Sequence, residues 1–216
     1  MMNDRPRARC YVWATWLTKL LAGEDRCWWK AWYKTHYRYD KVPDDPERAA
    51  FFREWTAKHD ALVQKRAAEL RAADWVVKVE DEGQFKVCGD AADLAGKPDI
   101  VAMREDEGVL VIDAKAGRRR DSDHWQVLVY AWSLARSWLK GQRIRGEVQY
   151  SDGVRAVREL GERESAEIVA AMKKITGPES PSAEPSRNEC RYCDVQHCTS
   201  RWADETDHDG DAGGAF

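Results

Sequence analysis

Asp99, Asp113 and Lys115 are the residues of this 216-residue chain whose types and spacing best suit chemistry. Asp99 ends the tetrapeptide Gly96-Lys97-Pro98-Asp99 and precedes the apolar run Ile-Val-Ala-Met. Asp113-Ala114-Lys115 closes the run Val-Leu-Val-Ile-Asp. In an extended strand residues i and i+2 share a face. Asp113 and Lys115 therefore project together, and a neighbouring hairpin strand carries Asp99 to the same place. Two carboxylates, the Ala114 carbonyl and solvent make an all-oxygen set suited to Mg²⁺ or Mn²⁺. Such an ion polarises a phosphodiester and lowers the pKa of a water. An ammonium beside it orients that water or neutralises charge that develops in the transition state. Gln126 and Tyr130, at i and i+4 on the following helix, share one face and can support either the metal site or a nucleic-acid backbone.

These fragments need particular elements to position them. Four short β-branched runs, WVVKVE, FKVCG, PDIVAM and VLVIDAK, follow one another from Trp75, and their composition predicts strands. EDEG at 105–108 is a turn between the last two. VLVID is apolar almost throughout, as expected of a central strand covered on both faces. Helical periodicity returns from Ser122 to Leu139, with Gly141 ending it. RGEVQYSDG and VRAVREL predict two further strands, and ESAEIVAAMKKI another helix. Upstream, 11–21 and 24–39 are expected to be aromatic-rich helices. Asp45 is expected to cap a third, with Pro46 at its first position. That helix runs to about Leu70 on a stripe of Phe52, Trp55, Leu62, Val63 and Leu70. His59 falls on the stripe, where periodicity alone makes it a core histidine. The fold class expected is α/β, with a central mixed sheet flanked by helices.

The fragments, in this order and on these elements, resemble the PD-(D/E)xK nuclease superfamily. Within it they resemble the RecB-type branch, the nuclease domains of bacterial recombination helicase–nucleases and the CRISPR-adaptation exonucleases. That pattern is an upstream histidine, G-x-x-D, D/E-x-K and Q-x-x-x-Y. Here it is matched by His59, GKPD at 96–99, DAK at 113–115 and QVLVY at 126–130. The resemblance covers roughly residues 15–200. It implies a restriction-endonuclease-like core and a one- or two-metal nuclease acting on DNA, usually from an end. It also implies a metal-binding role for His59 beside Asp99, Asp113 and the Ala114 carbonyl.

Six cysteines are present. Cys190, Cys193 and Cys198 form C-x-x-C-x-x-x-x-C behind the proline-rich stretch GPESPSAEPSRNE, a spacing that binds an iron–sulfur cluster or zinc. In RecB-type nucleases with a cluster, the fourth cysteine lies in the N-terminal helical arm, and Cys27 matches it. Cys10 fits less well, and Cys88, inside a strand, is expected to be a small buried apolar residue. The family more often has five residues between its last two cysteines, where this chain has four. His197 is therefore an alternative ligand and Zn²⁺ an alternative to [4Fe–4S].

The net charge is -3, but five acids and no Lys or Arg lie in the tail from Ala203. Without them the balance becomes 35 − 33 = +2. Arg118-Arg119-Arg120 and Arg5, Arg7 and Arg9 are local basic groups, so nucleic acid is neither implied nor excluded by charge. No run approaches a membrane span and no secretory leader is legible, so the expected compartment is the cytoplasm. The organisation expected is a helical arm at 1–45, a nuclease core at 46–176, a linker and cysteine segment at 177–202, and an acidic tail at 203–216. No helicase motif is present, so any unwinding, recombination, CRISPR or phage partner is a separate chain. Some of the eleven tryptophans, with Arg26, Lys30, Lys34 and Arg38, could stack on unpaired bases. Two other readings stay open: a DNA-end binding module without catalysis, and a zinc-stabilised interaction protein.

Overall fold

The computed structural model describes residues 4–40, 46–195 and 198–202. Its strands are β1 (Arg5–Pro6), β2 (Cys10–Trp13), β3 (Tyr37–Arg38), β4 (Val76–Val79), β5 (Phe85–Cys88), β6 (Ala92–Gly96), β7 (Ile100–Arg104), β8 (Gly108–Lys115), β9 (Ile144–Tyr150) and β10 (Gly153–Val157). Its helices are α1 (Thr15–Leu21), α2 (Trp28–His36), α3 (Pro46–Ala72), α4 (Asp121–Leu134), α5 (Glu162–Thr176) and α6 (Arg187–Arg191).

The apolar run in β8 sits at the middle of a five-stranded sheet ordered β10-β9-β8-β7-β4. β8 is antiparallel to β7 and parallel to β9. A parallel pair needs a crossover, and α4 provides it. Period-2 alternation divides β8 between two cores. Val109 and Val111 pack with α1, α4 and α5, while Leu110, Ile112 and Ala114 pack under Val63, Ala67 and Leu70 of α3. At the β7–β8 turn Gly108 takes φ +80, a conformation that glycine adopts without strain. A second sheet, β2-β6-β5, and the pair β1-β3 complete the architecture. The mixed sheet with helices on both faces is the restriction-endonuclease-like α/β arrangement expected from the sequence.

Several local expectations are corrected. The segment 11–21 is not helical throughout, because Cys10–Trp13 extends to pair in parallel with Ala92–Ala95. The second arm helix starts at Trp28 rather than residue 24, and Tyr37–Arg38 leaves it to pair with Arg5–Pro6. The arm is therefore mixed rather than wholly helical. β6, ADLAG, was not expected as a strand, since its small residues carry weak β-propensity; partners on both sides hold it in place. α4 stops at Leu134, and turns fill 135–141. The linker ends in α6, where the Ser186 side chain caps the Glu189 N–H. Phe52 and Trp55 are exposed rather than core, so the expected stripe is buried only in the second half of α3. Cys88 is exposed, contrary to its expected burial, because its position in β5 points it out of the small sheet. The Asp45 cap, His197 and the acidic tail lie outside the described residues.

Candidate active site

Strand alternation decides which face carries the site. Asp113 and Lys115 follow Val109 and Val111 in parity, so they emerge from β8 toward α4. Ile100 pairs with Ile112, so Asp99, one residue before β7, falls opposite Asp113. Asp99 Oδ2 accepts the Ala114 N–H at 2.6 Å, which ties the carboxylate to the end of β8.

Asp113 is 2% exposed. Its Oδ1 accepts a hydrogen bond from Gln126 Nε2 at 2.7 Å. Its Oδ2 lies 2.7 Å from Lys115 Nζ, yet it is buried without a well-directed hydrogen bond. The ionic contact is real, and a lone pair remains for another cation. Burial pushes the Asp113 carboxyl well up; Lys115 opposes this and Asp99 adds to it. Burial alone would depress Lys115, but Asp113 and Asp99 hold it above its ordinary value, so it carries its proton.

Gln126 joins the two. Its Oε1 accepts from Lys115 Nζ at 3.0 Å, and its Nε2 also lies 2.8 Å from the Tyr130 hydroxyl. Tyr130 is 2% exposed, and burial keeps its phenol neutral. It therefore supports Gln126 from within and does not reach a nucleic-acid backbone.

His59 is not an apolar core histidine. One turn before Val63, it reaches past the strand ends, and its Nε2 lies 3.1 Å from Asp99 Oδ2. The Asp99 hydrogen bond raises its pKa to about 9, against the opposing effect of burial. Without a metal, His59 is an imidazolium paired with a carboxylate. Ligand atoms of His59, Asp60 and Glu80 lie within 4.8 Å of one another. Sequence reasoning passed over Asp60 and Glu80; the acid closing WVVKVE was the available signal for Glu80. Among the described residues, His59, Asp99 and Asp113 do not close to that spacing as a trio. The donors nonetheless suit a hard divalent ion: two carboxylates, one with a buried lone pair unclaimed, and an imidazole.

The sequence model of the PD-(D/E)XK nuclease superfamily matches residues 15–198. The chain belongs to this superfamily. No curated protein matches it. Among solved structures eleven chains match. One, described as the crystal structure of SSO0001, superposes with a TM-score of 0.50 at 15% identity, covering 92% of this chain and 90% of that one. At that identity the likeness speaks for the fold alone. Membership points to a metal-dependent nuclease. No described helix of this superfamily member is long and apolar enough to cross a membrane.

A second constellation lies apart from Asp99, Asp113 and Lys115. Cys27, Cys190, Cys193 and Cys198 line one small cavity with Trp29, Lys30 and Glu189. Cys10 is elsewhere, its sulfur 3.6 Å from His36 Nδ1. All six thiols are free, and burial pushes Cys27 up to about 11. Glu189, which sequence reasoning missed, ties the two chain regions together. Its Oε1 accepts the N–H groups of Arg26 and Cys27, each at 2.9 Å, and its Oε2 accepts that of Ser186 at 2.8 Å. Arg201 donates to the carbonyls of Cys190, Cys193 and Val195.

Proposed function

We propose that the chain is a Mg²⁺- or Mn²⁺-dependent deoxyribonuclease, an exonuclease acting on DNA ends or single strands. His59, Asp99, Asp113 and the Ala114 carbonyl hold the ion. The observation that carries this reading is the buried Asp113 oxygen, 2.7 Å from Lys115 and without a directed hydrogen bond. A bound Mg²⁺ or Mn²⁺ supplies Lewis acidity at the scissile phosphate. Lys115, kept protonated by Asp113, places a positive charge where the transition state gains negative charge. Gln126 orients both Lys115 and Asp113, and Tyr130 holds Gln126. The Asp99 bond to the Ala114 N–H fixes the spacing of the two acidic strand ends.

The four-cysteine cavity takes a [4Fe–4S] cluster in this reading. The cluster would join residue 27 to residues 190–198 and brace the arm over the core. Where a helicase or another recombination, CRISPR or phage protein acts with this chain, it supplies the unwinding.

The test is digestion of single-stranded, linear duplex and closed circular DNA with Mg²⁺ or Mn²⁺. Loss of linear DNA with survival of the closed circle is expected. Survival of every substrate with every ion rejects the reading. Nicking of the circle rejects its exonuclease part.

A further inference from the structure

A cleft of about 390 Å³ is lined by Lys115 and Gln126 together with Trp55, Lys19, Arg118 and Arg120. Three acids on the adjoining segments are already engaged. Glu24 accepts from the backbone and hydroxyl of Ser122, Asp25 pairs with Lys30, and Asp123 accepts from Arg120 N–H and the Tyr150 hydroxyl. Lys19, Arg118 and Arg120 form no ion pair with a carboxylate among the described residues. The cleft therefore holds uncommitted positive charge beside the site.

Trp55 supplies the apolar element. Its ring stacks on His59 with centroids 5.2 Å apart and planes 21° from parallel. The residue is still 38% exposed, so one face of the indole rests on His59 while its other side meets solvent. Phe51 and Phe52, one turn earlier on α3, are 64% and 42% exposed. An exposed aromatic face and unpaired cations in one cleft form the arrangement that holds unpaired nucleic acid, because every base has a π-face and every linkage a phosphate.

We infer that Trp55 is the stacking platform for a base of single-stranded DNA entering the site, with Lys19, Arg118 and Arg120 holding the adjoining phosphates. This rests on the nuclease reading above and names the strand form that the site takes. A duplex keeps its bases paired and stacked, so it gains only the phosphate contacts.

The test uses the full chain in EDTA, where binding is read without cleavage. The probe is a short single strand carrying 2-aminopurine, whose fluorescence falls when it stacks on an indole. The native chain is expected to quench it and to bind the single strand more tightly than the matching duplex. Trp55→Ala is expected to lose the quenching and about tenfold in affinity. Trp55→Phe is expected to restore most of the affinity. Arg118→Gln and Arg120→Gln, which do not depend on the packing of α3, should each lower the salt dependence of binding by about 0.7 in log–log slope. Native-level quenching and affinity in Trp55→Ala overturns the inference, as does an unchanged salt slope in both arginine variants. Equal binding of single strand and duplex without quenching also overturns it. DNA degradation that persists without Trp55-dependent quenching removes this inference alone. Failure of the native chain to degrade any DNA with Mg²⁺ or Mn²⁺ removes the nuclease reading with it.

Discussion

Lys115 Nζ stands 2.7 Å from Asp113 Oδ2 across a single intervening strand residue. Neither group is stable there alone: burial raises the carboxyl of Asp113 and would depress the ammonium of Lys115, and each offsets the other. Removing one partner of such a pair leaves the other uncompensated, at a cost of about 3 kcal/mol. Lys115→Ala is therefore expected to lower the melting temperature of the metal-free protein. Saturating Mn²⁺ should recover part of the loss, since a cation again faces Asp113. Calorimetry with and without Mn²⁺ checks this. Equal melting of Lys115→Ala and the native chain in EDTA would show that the pair carries no stability.

Gln126 bridges the pair through both ends of its amide. Gln126→Ala is expected to lower kcat by about a hundredfold with KM little changed, because the lost contact orients groups and does not hold substrate. Gln126→Glu should be worse. A carboxylate still accepts from Lys115, but it cannot donate to Asp113 Oδ1 and repels it. Steady-state digestion compares the two variants, and a Gln126→Glu enzyme more active than Gln126→Ala would contradict the bridging role.

Metal affinity should depend on pH through His59. Its hydrogen bond to Asp99 raises it to about 9, and a ligating imidazole must be neutral. Below that value the ion has to displace a proton. Affinity for Mn²⁺ should therefore climb with pH and level off above about 9. The raised Asp113 carboxyl acts in the same direction at the acid end. Mn²⁺ titrations followed by electron paramagnetic resonance give the profile. His59→Asn should flatten its upper part, and a native profile already flat from about pH 6 to about 9 would remove His59 from the ligand set.

Cys27 shares the cavity of Cys190, Cys193 and Cys198, while Cys10 and Cys88 do not. Anaerobically purified protein is expected to be brown and to contain iron and sulfide. Cys27→Ala should lose both, whereas Cys10→Ala and Cys88→Ala should keep them. A colourless native protein with one zinc per chain would reverse the assignment. Glu189→Ala orphans backbone N–H groups at Arg26, Cys27 and Ser186. It should cost about 1–3 kcal/mol even in the metal-free chain.

The sequence made most of the candidate site legible because its signals are local. Asp113 and Lys115 need only strand alternation to share a face, and Gln126 and Tyr130 need only a helical turn. The α/β class followed from β-branched runs alternating with helical periods. What escaped depended on partners distant in the chain. Ala92–Gly96 is a strand only because β2 and β5 flank it, and Cys10–Trp13 only because Ala92–Ala95 lies alongside. Trp55 has helical spacing with Val63, but α3 outruns the sheet, so the same stripe is buried at one end and open at the other. His59 lies where the two regimes meet, and nothing in its periodicity reveals Asp99 at 3.1 Å. Glu189 looked like an ordinary linker acid, although its carboxylate receives three backbone donors.

The most direct measurement is the release of nucleotides from end-labelled single-stranded DNA in Mn²⁺ by the native chain, Asp113→Ala and Lys115→Ala, each verified as folded. The native chain should release label at a rate that EDTA abolishes, and each variant should lose at least about a hundredfold of that rate. Release at native rates by either folded variant would contradict the assignment of Asp113 and Lys115 to the cutting site.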